Sequence, residues 1–315
     1  MIDSEVYRMS FLRKIKSLGV KAFVGGEWKV AYRPLSKNNG DYQIVNAPKG
    51  MCLADPFLYE VDGKHYLFVE LFEKKKNKAC IGCYGFIDGS PVYLGKILEE
   101  SYHMSYPCVF EYNGSHYMIP ETSANLSIDL YKAVEFPSRW EKVSSLCNGT
   151  RYVDTTVLKQ DNAYYAVSYR KENHRWYLDA FELDVDRQQL KRIATREYAT
   201  NIGRPAGGFY IKECLMRPAQ NCARKYGESV ILYQVDRFDC SAYEEHEVAR
   251  IEADRLSMVA KPNRTHTYNC DSFYECVDVY FEKLDLLHGV KTLWRAYLRK
   301  YFKRTRRGYY ENYTS

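Results

Sequence analysis

The feature that most constrains this chain is an internal repeat with a period near 50 residues. The stretch Ala54-Asp55-Pro56-Phe57-Leu58-Tyr59 leads through Asp62-Gly63 to Tyr66, and Tyr106-Pro107-Cys108-Val109-Phe110 leads through Asn113-Gly114 to Tyr117. Each is an apolar-rich strand, a tight turn and a second strand opening close to an aromatic. Asp-Gly and Asn-Gly supply the two positive φ values that a two-residue hairpin turn needs. The unit recurs from Asp154 through Asp161-Asn162 to Tyr165, and more loosely from Arg204 to Leu215. Aligning Tyr66, Tyr117, Tyr165 and Leu215 gives intervals of 51, 48 and 50 residues and puts Asp55, Tyr106, Asp154 and Arg204 at the heads of the units. A period near 50 with four short strands per unit predicts propeller blades. Four blades open near residues 53, 104, 152 and 202, and the remaining strand segments, 27–33 and 266–281, supply a fifth that joins both termini. The expected fold is all-β, a five-bladed propeller over residues 21–281. An N-terminal extension, 1–20, is read as helical, and a basic amphipathic helix and tail occupy 282–315.

Composition narrows the class. With 46% hydrophobic and 27% charged residues in 315, the chain holds too much apolar matter for disorder. No run approaches the roughly 18 apolar residues needed to span a bilayer as a helix. The 30 Tyr, 14 Phe and 4 Trp suit strands, and flat rings also suit sugar-binding clefts. Residues 1–17 contain no apolar h-region, so the chain is expected to be cytoplasmic, and its ten Cys to be free thiols. Cys80-Ile-Gly-Cys83 lacks a second pair or a nearby His and is a weak zinc candidate. The net charge of +6 is concentrated: nine Lys/Arg stand between Lys283 and Arg307 against the single acid Asp285. Leu287, Trp294, Leu298 and Tyr301 recur there at helical spacing, which predicts a helix docked on the domain or seated on an anionic membrane surface. No nucleic-acid motif accompanies the charge, so nucleic acid is not an expected partner.

The repeat also predicts a site. In a propeller the first strand of each blade lines the central channel, so Asp55, Tyr106, Asp154 and Arg204 converge at one mouth although about 50 residues apart. Glu70 and Glu121 stand at equivalent places 15 residues further on. Carboxylates in an aromatic-lined funnel are equipment for work on glycosidic bonds, one acting as base and another in its acid form. Asp55 is the first choice for the base and Asp154 for the second carboxylate. Glu121 is read as the acid or a sugar-hydroxyl ligand, and Glu70 and Tyr106 as lining the substrate site. The structural alternative is that these acids cap blade turns. Arg204, Arg217, Gln220 and Tyr226 sit in a Gly/Pro-rich frame and form candidate forks for carboxylate, phosphate or sugar hydroxyls. His266 joins the same mouth if it opens the closing blade. No metal ligands are assigned; a divalent cation would suit this many carboxylates, but no ligand spacing demands one.

Leu53-Ala54-Asp55-Pro56-Phe57, with its Asp-Gly hairpin and Tyr66-Leu67-Phe68, resembles the opening blade of family-43 type five-bladed glycoside hydrolases. The resemblance implies that Asp55 is a catalytic base and that Asp154 tunes an acid. It supplies no clean counterpart for that acid, Glu213 being the nearest match. A closer resemblance is to the N-terminal domain of plant glucosamine inositolphosphorylceramide transferases and its stand-alone bacterial relatives. It rests on Glu27-Trp28-Lys29-Val30-Ala31, Ala54-Asp55-Pro56-Phe57, Ile119-Pro120-Glu121-Thr122, Val153-Asp154-Thr155-Thr156, Gly203-Arg204-Pro205-Ala206-Gly207, Arg217-Pro218-Ala219-Gln220 and Thr265-His266-Thr267. In those plant proteins the recognised transferase domain is a separate C-terminal one, so the resemblance implies a propeller for glycan work more firmly than a reaction. The leading expectation is a glycosyltransferase of surface-polysaccharide or glycolipid assembly, using a nucleotide-sugar or lipid-linked glycan at the inner membrane face. An inverting glycoside hydrolase and a non-catalytic glycan-binding propeller are the alternatives.

Overall fold

The computed structural model describes residues 24–35 and 40–284. Residues 28–280 form one unit; the terminal stretches 1–27 and 281–315 form another, of which only the strand ends 24–27 and 281–284 are described. The helix expected over 1–20, and all but residues 282–284 of the helix and tail expected over 282–315, lie outside the described residues. The strand Tyr274–Leu284 runs three residues into the segment read as helical.

The described chain is five antiparallel sheets, each of four principal strands. The first blade comprises Met51–Val61, Lys64–Glu73, Lys78–Ile87 and Ser90–Leu98, and the second Ser105–Tyr112, Ser115–Thr122, Ser127–Glu135 and Arg139–Asn148. The third comprises Tyr152–Gln160, Ala163–Glu172, Arg175–Asp184 and Gln189–Tyr198. The fourth has Ile202–Pro205, Leu215–Asn221, Ser229–Phe238 and Tyr243–Glu252, with the short strand Tyr210–Ile211 added. The closing blade takes Tyr268–Cys270 and Tyr274–Leu284 from the C-terminal side and Val24–Pro34 and Gln43–Ile44 from the N-terminal side. The ring is therefore shut within one blade, where the strand Val24–Pro34 pairs with the strand Tyr274–Leu284.

Local chemistry explains the hairpins. Asp62-Gly63, Asp88-Gly89 and Asn113-Gly114 all have positive φ at both residues (49° and 70°, 49° and 76°, 48° and 68°), the mirror-image turn that matches strand twist. Apolar side chains pack between neighbouring blades. One cluster joins Phe57, Phe68, Tyr106, Ile119, Leu130 and Ala166 from blades one to three. Another joins Val30, Leu53, Leu71 and Cys276, and a third Val167, Leu178, Tyr198 and Phe238. Much of the Tyr surplus is spent here, not on a cleft: Tyr84, Tyr106, Tyr131, Tyr152 and Tyr198 are all buried. Cys80 and Cys83 belong to different clusters on either side of their strand, so the pair does not converge on a metal.

One irregularity recurs. Between Ala54↔Glu70 and Phe57↔Phe68 the inner strand has two residues where its partner has one, and the same bulge lies between Ser105↔Glu121 and Cys108↔Ile119 and between Val153↔Tyr169 and Thr156↔Val167. Its first residue is left-handed each time: Asp55 (φ 46°), Tyr106 (φ 48°) and Asp154 (φ 52°). In blade four the extra residue is Gly203 (φ 84°), between Ile202↔Asn221 and Arg204↔Gln220. The structural counterpart of Asp55 there is thus Gly203, and Arg204 sits one residue later, where blades one and two carry Pro56 and Pro107. Proline is tolerated at this second position because the bulge leaves it without a ladder bond to donate. The closing blade has an extra residue too: three residues, 265–267, separate Arg264↔Tyr280 from Tyr268↔Val277 on the inner strand, against two on its partner.

Behind the mouth the channel is filled. Tyr106 is fully buried, its hydroxyl 2.8 Å from Thr156 Oγ1, and the Gly207 N–H donates to it at 2.7 Å. Gly207 has φ 138°, and a Cβ there would stand 1.9 Å from the Tyr268 carbonyl oxygen. Only glycine lets blade four approach the closing blade this closely. Gly207→Ala is therefore expected to cost at least about 2 kcal/mol, which lowers Tm by roughly 4–8 °C in a thermal melt.

Candidate functional site at the channel mouth

Asp55, His266 and Asp278 form a ladder across the first and closing blades. All three are buried. His266 Nδ1 lies 2.7 Å from Asp278 Oδ2, and Nε2 lies 3.3 Å from Asp55 Oδ1. Asp278 Oδ1 accepts the backbone N–H groups of His266 and Thr267, each at 2.9 Å, while Oδ2 accepts the Thr267 hydroxyl and, at 3.3 Å, the Asp55 N–H. Thr267 Oγ1 also donates to Asp55 Oδ1 at 3.3 Å. No donor among the described residues bonds Asp55 Oδ2. The His266 ring is covered by Trp28, centroids 4.1 Å apart, and by Tyr226 at 5.0 Å. Burial alone would lower the imidazole pKa, but the charges of Asp278 and Asp55 hold it well above its usual value. For Asp278 burial pulls upward, and the facing imidazolium wins and holds the carboxyl down. The ring is therefore a cation between two carboxylates.

The same three side chains bring ligand atoms within 4.8 Å of one another, which invites comparison with a metal site. The arrangement does not fit one. The two carboxylates approach different nitrogens of a single ring, and one imidazole cannot turn both nitrogens to the same ion. Asp278 already accepts four donors besides. The group is a charge ladder, not a cation cage.

A second cluster lies beside it. The Arg204 guanidinium is clamped to Asp154 through Nε to Oδ2 and through Nη2 to Oδ1 at 3.0 Å, and Nη2 also reaches Glu121 Oε2 at 3.1 Å. Gln220 Nε2 donates to Asp154 Oδ2 at 2.8 Å, and Ser123 Oγ to Glu121 Oε1 at 2.6 Å. Two carboxylates thus share one guanidinium and titrate as a pair. Burial outweighs Arg204 and holds Asp154 well above the usual carboxylate range. Glu121, which burial would also raise, is instead lowered by Arg204 and its hydrogen bonds. Glu70 completes the mouth. Burial raises its pKa, and His103 Nε2 stands 3.4 Å away; that contact raises the His103 pKa in turn.

The expected residues separate into two groups. Asp55, Glu70, Glu121, Asp154, Arg204, Tyr226 and His266 share the mouth, where Glu121, Glu70, Arg204 and Tyr226 keep an exposed edge. Three lie behind it. Tyr106 fills the channel as described. Gln220 is fully buried and committed to Asp154. Arg217 is fully buried inside blade four, where Nε and Nη2 pair with Glu245 at 2.7 Å each and Nη1 donates to the Gly203 carbonyl. Its fork has no free edge for a ligand. Glu213 is exposed on the turn before Leu215 and makes no contact with this cluster among those described. Sequence reasoning missed Asp278, His103 and the stacking partner Trp28. Asp278 had a signal, being an acid set between Val277 and Val279 in the buried stretch of the second strand of the closing blade.

A closed ring of five four-stranded blades defines the class of fold as a five-bladed β-propeller. A thermostable family-43 glycoside hydrolase superposes with a TM-score of 0.56 at 13% identity, covering 75% of this chain and 91% of that one. An endo-1,4-beta-xylanase from Bacteroides thetaiotaomicron gives 0.53 at 14%, covering 69% and 79%. At these identities the likeness is one of fold. The chain itself belongs to the family described as glucosamine inositolphosphorylceramide transferase 1, N-terminal, which matches residues 11–272. The Arabidopsis thaliana glucosamine inositolphosphorylceramide transferase 1 is 31% identical over 217 residues, 64% of this chain and 28% of the relative. The Oryza sativa subsp. indica protein of the same name is 28% identical over 205 residues, 61% and 27%. The match thus spans little more than a quarter of the length of these relatives.

Two measurements probe the clusters. Folding holds a proton on His266 that the unfolded chain releases near pH 6.5, so this stabilisation is present below about pH 6.5 and is lost as pH rises toward the folded value. Thermal melts from about pH 6.5 upward should show a fall in Tm that His266→Gln flattens. Arg204→Ala leaves Asp154 and Glu121 facing each other without a cation and should destabilise by about 3 kcal/mol in urea unfolding. Without Arg204 both acids lose a charge that holds their pKa down, so part of that loss should return progressively as pH falls from neutral toward the unfolded carboxylate values near 4.

Proposed function

We infer that the mouth is a glycan-handling site and that its reaction is transfer of a sugar to an acceptor hydroxyl. One observation carries this reading: Asp55 is held at Oδ1 by His266 and Thr267, while Oδ2 has no partner among the described residues. A carboxylate oxygen fixed in position and free of donors is a general base. In the proposed step the acceptor hydroxyl attacks the anomeric carbon, Asp55 Oδ2 takes its proton, and the bond from that carbon to the leaving group breaks. A phosphate or diphosphate departs as a stable anion and needs no proton, whereas a sugar alkoxide does. The blade-four side chains against Asp154 are Arg204, a guanidinium that stays protonated, and Gln220, an amide, and neither can give one. This favours a nucleotide-sugar or lipid-linked donor over hydrolysis, and it agrees with a family named for a transferase. The reading carries with it a cytoplasmic place at the inner membrane face, where such donors are found and where the basic stretch 283–307 would meet anionic lipid. Arg204 Nη1, Glu121 and Tyr226 would bind sugar hydroxyls.

A second reading, an inverting hydrolase of family-43 type, is favoured by Glu70, whose raised pKa suits an acid. The test is incubation with a panel of nucleotide sugars and lipid-linked acceptors followed by mass spectrometry. Wild type should gain one sugar on the acceptor. Asp55→Asn, which keeps a residue tolerant of the left-handed backbone, should lose at least about 100-fold in rate with Tm within a few degrees. Cleavage of a supplied oligosaccharide, lost in Glu70→Gln, would overturn transfer in favour of hydrolysis. Silence in both assays with retention on a glycan array would leave a binding propeller.

A further inference from the structure

The two ends of the propeller differ in charge. Within a blade successive strands run in opposite directions, so the connections from second to third strand lie at the end of the ring where the mouth opens. The turns from first to second and from third to fourth strand lie at the opposite end. The mouth-end connections are 74–77, 123–126, 173–174 and 222–228 in blades one to four. They carry Lys74, Lys75, Lys76, Arg224 and Lys225 against the single acid Glu228. Among the described residues of the far-end turns, Arg187 and Lys212 are matched by their neighbours Asp186 and Glu213. Asp62, Asp88, Asp161, Asp239 and Asp271 are left in excess there.

Pairing leaves the positive end only partly covered. Lys76 is shared by Glu73 and Glu99, and Arg224 is taken by Glu228. Lys75 and Lys225 are exposed and reach no carboxylate among the described residues. Two apolar side chains project from the same set of connections: Tyr226 is 44% exposed and Leu126 47%. Leu126 is left-handed (φ 57°, ψ 36°), a conformation that suits Asn or Gly and strains a leucine. Its backbone is pinned, the N–H donating to the Ser123 carbonyl at 3.1 Å and the carbonyl accepting the Gly149 N–H at 2.8 Å. The fold thus holds at a strained, exposed position a side chain that water does not favour. Ile211 and Phe273 are exposed at the far end, but there they stand among acids.

We propose that the mouth end of the propeller is a surface that seats on an anionic lipid bilayer, with the lysine turn of blade one against the headgroups and Leu126 entering the interface. Lysines beside an anionic surface gain Coulomb attraction while their stems lie along its apolar boundary, and an exposed leucine among them adds burial. The acidic far end is repelled by the same lipid, so charge alone sets the orientation. Seated this way, the mouth opens toward the bilayer and a lipid-linked glycan reaches Asp55 without leaving it. That role rests on the transfer reading; the seat and its orientation do not.

The experiment is flotation of the full chain with phosphatidylcholine vesicles with and without phosphatidylglycerol, read together with a polarity-sensitive dye. Cys240, exposed on the far-end turn 239–242, carries the dye in one sample, and Leu126→Cys/Cys240→Ser carries it in the other. Phosphatidylglycerol vesicles should float the protein and shift the dye at 126 to the blue, with no shift at 240. Lys74→Gln/Lys75→Gln/Lys76→Gln should lose on the order of 100-fold in partition coefficient. Leu126→Asn, which suits the left-handed backbone, should bind vesicles more weakly at an unchanged or higher Tm, an outcome a merely structural leucine would not give. Absence of flotation overturns the proposal, as does equal partition of the triple variant. Flotation with neither dye shifted assigns binding to the basic stretch 283–307 and overturns the seat, and a shift at 240 overturns the orientation. A seated protein that transfers no sugar upholds the surface and removes its assigned role, whereas transfer without flotation keeps the reaction and overturns the surface.

Discussion

The bulge at the head of each inner strand is the constraint on which the site depends. An inner strand in regular pairing would alternate its side chains between the two faces of its own blade, into the packed interfaces between blades. One extra residue breaks that alternation and turns a side chain toward the axis. The cost is a left-handed backbone at a residue other than glycine, worth about 1–3 kcal/mol when the surroundings must enforce it. Asp55 and Asp154 belong to the residue types that bear it most easily. Tyr106 does not, and its φ is held by a hydroxyl tied to Thr156 and to Gly207 on the far side of the channel. Blade four uses glycine, Gly203, and gives up a side chain at that point.

Once these side chains meet, charge compensation decides what they become. A buried carboxylate costs several kcal/mol unless it is paired and hydrogen-bonded. The fold meets this requirement in two ways. Inside the blades, Asp129, Asp179 and Glu245 are saturated: Asp179 accepts Tyr152, Arg170 and Thr195, and Glu245 accepts Arg217, Tyr198 and Tyr243. At the mouth compensation stops short. His266 serves two acids and Arg204 two more, so four carboxylates share two cations. Glu70 has only His103. This incomplete neutralisation separates a candidate site from the structural ion pairs inside the blades, and it leaves one oxygen of Asp55 without a partner among the described residues.

Much of this was legible beforehand, and the reasons are local. Asp-Gly and Asn-Gly turns fix hairpins through their own backbone preferences, and their recurrence gave the blade count. Equivalence between blades then placed Asp55, Glu70, Glu121 and Asp154 together with no knowledge of the fold beyond its symmetry. The errors came where symmetry breaks. Arg204 was aligned with Asp55, but the left-handed residue is Gly203, because the loop that follows departs from the repeat. Arg217 reads in sequence like a ligand fork. Only its neighbour Glu245, 28 residues away on another strand, shows that the fork is already filled. Asp278 drew no notice because the closing blade has no repeat partner to mark the position.

The sequence by itself determined the ring, since a period of strands and turns is written in residues that act on their immediate neighbours. It also determined which acids meet, because identical blades carry equivalent positions to one axis. The tertiary structure alone decided which of those charges are satisfied. Pairing depends on distances of about 3 Å between residues as far apart as Asp55 and His266, and no local preference encodes a contact between two blades that become neighbours only when the ring is closed.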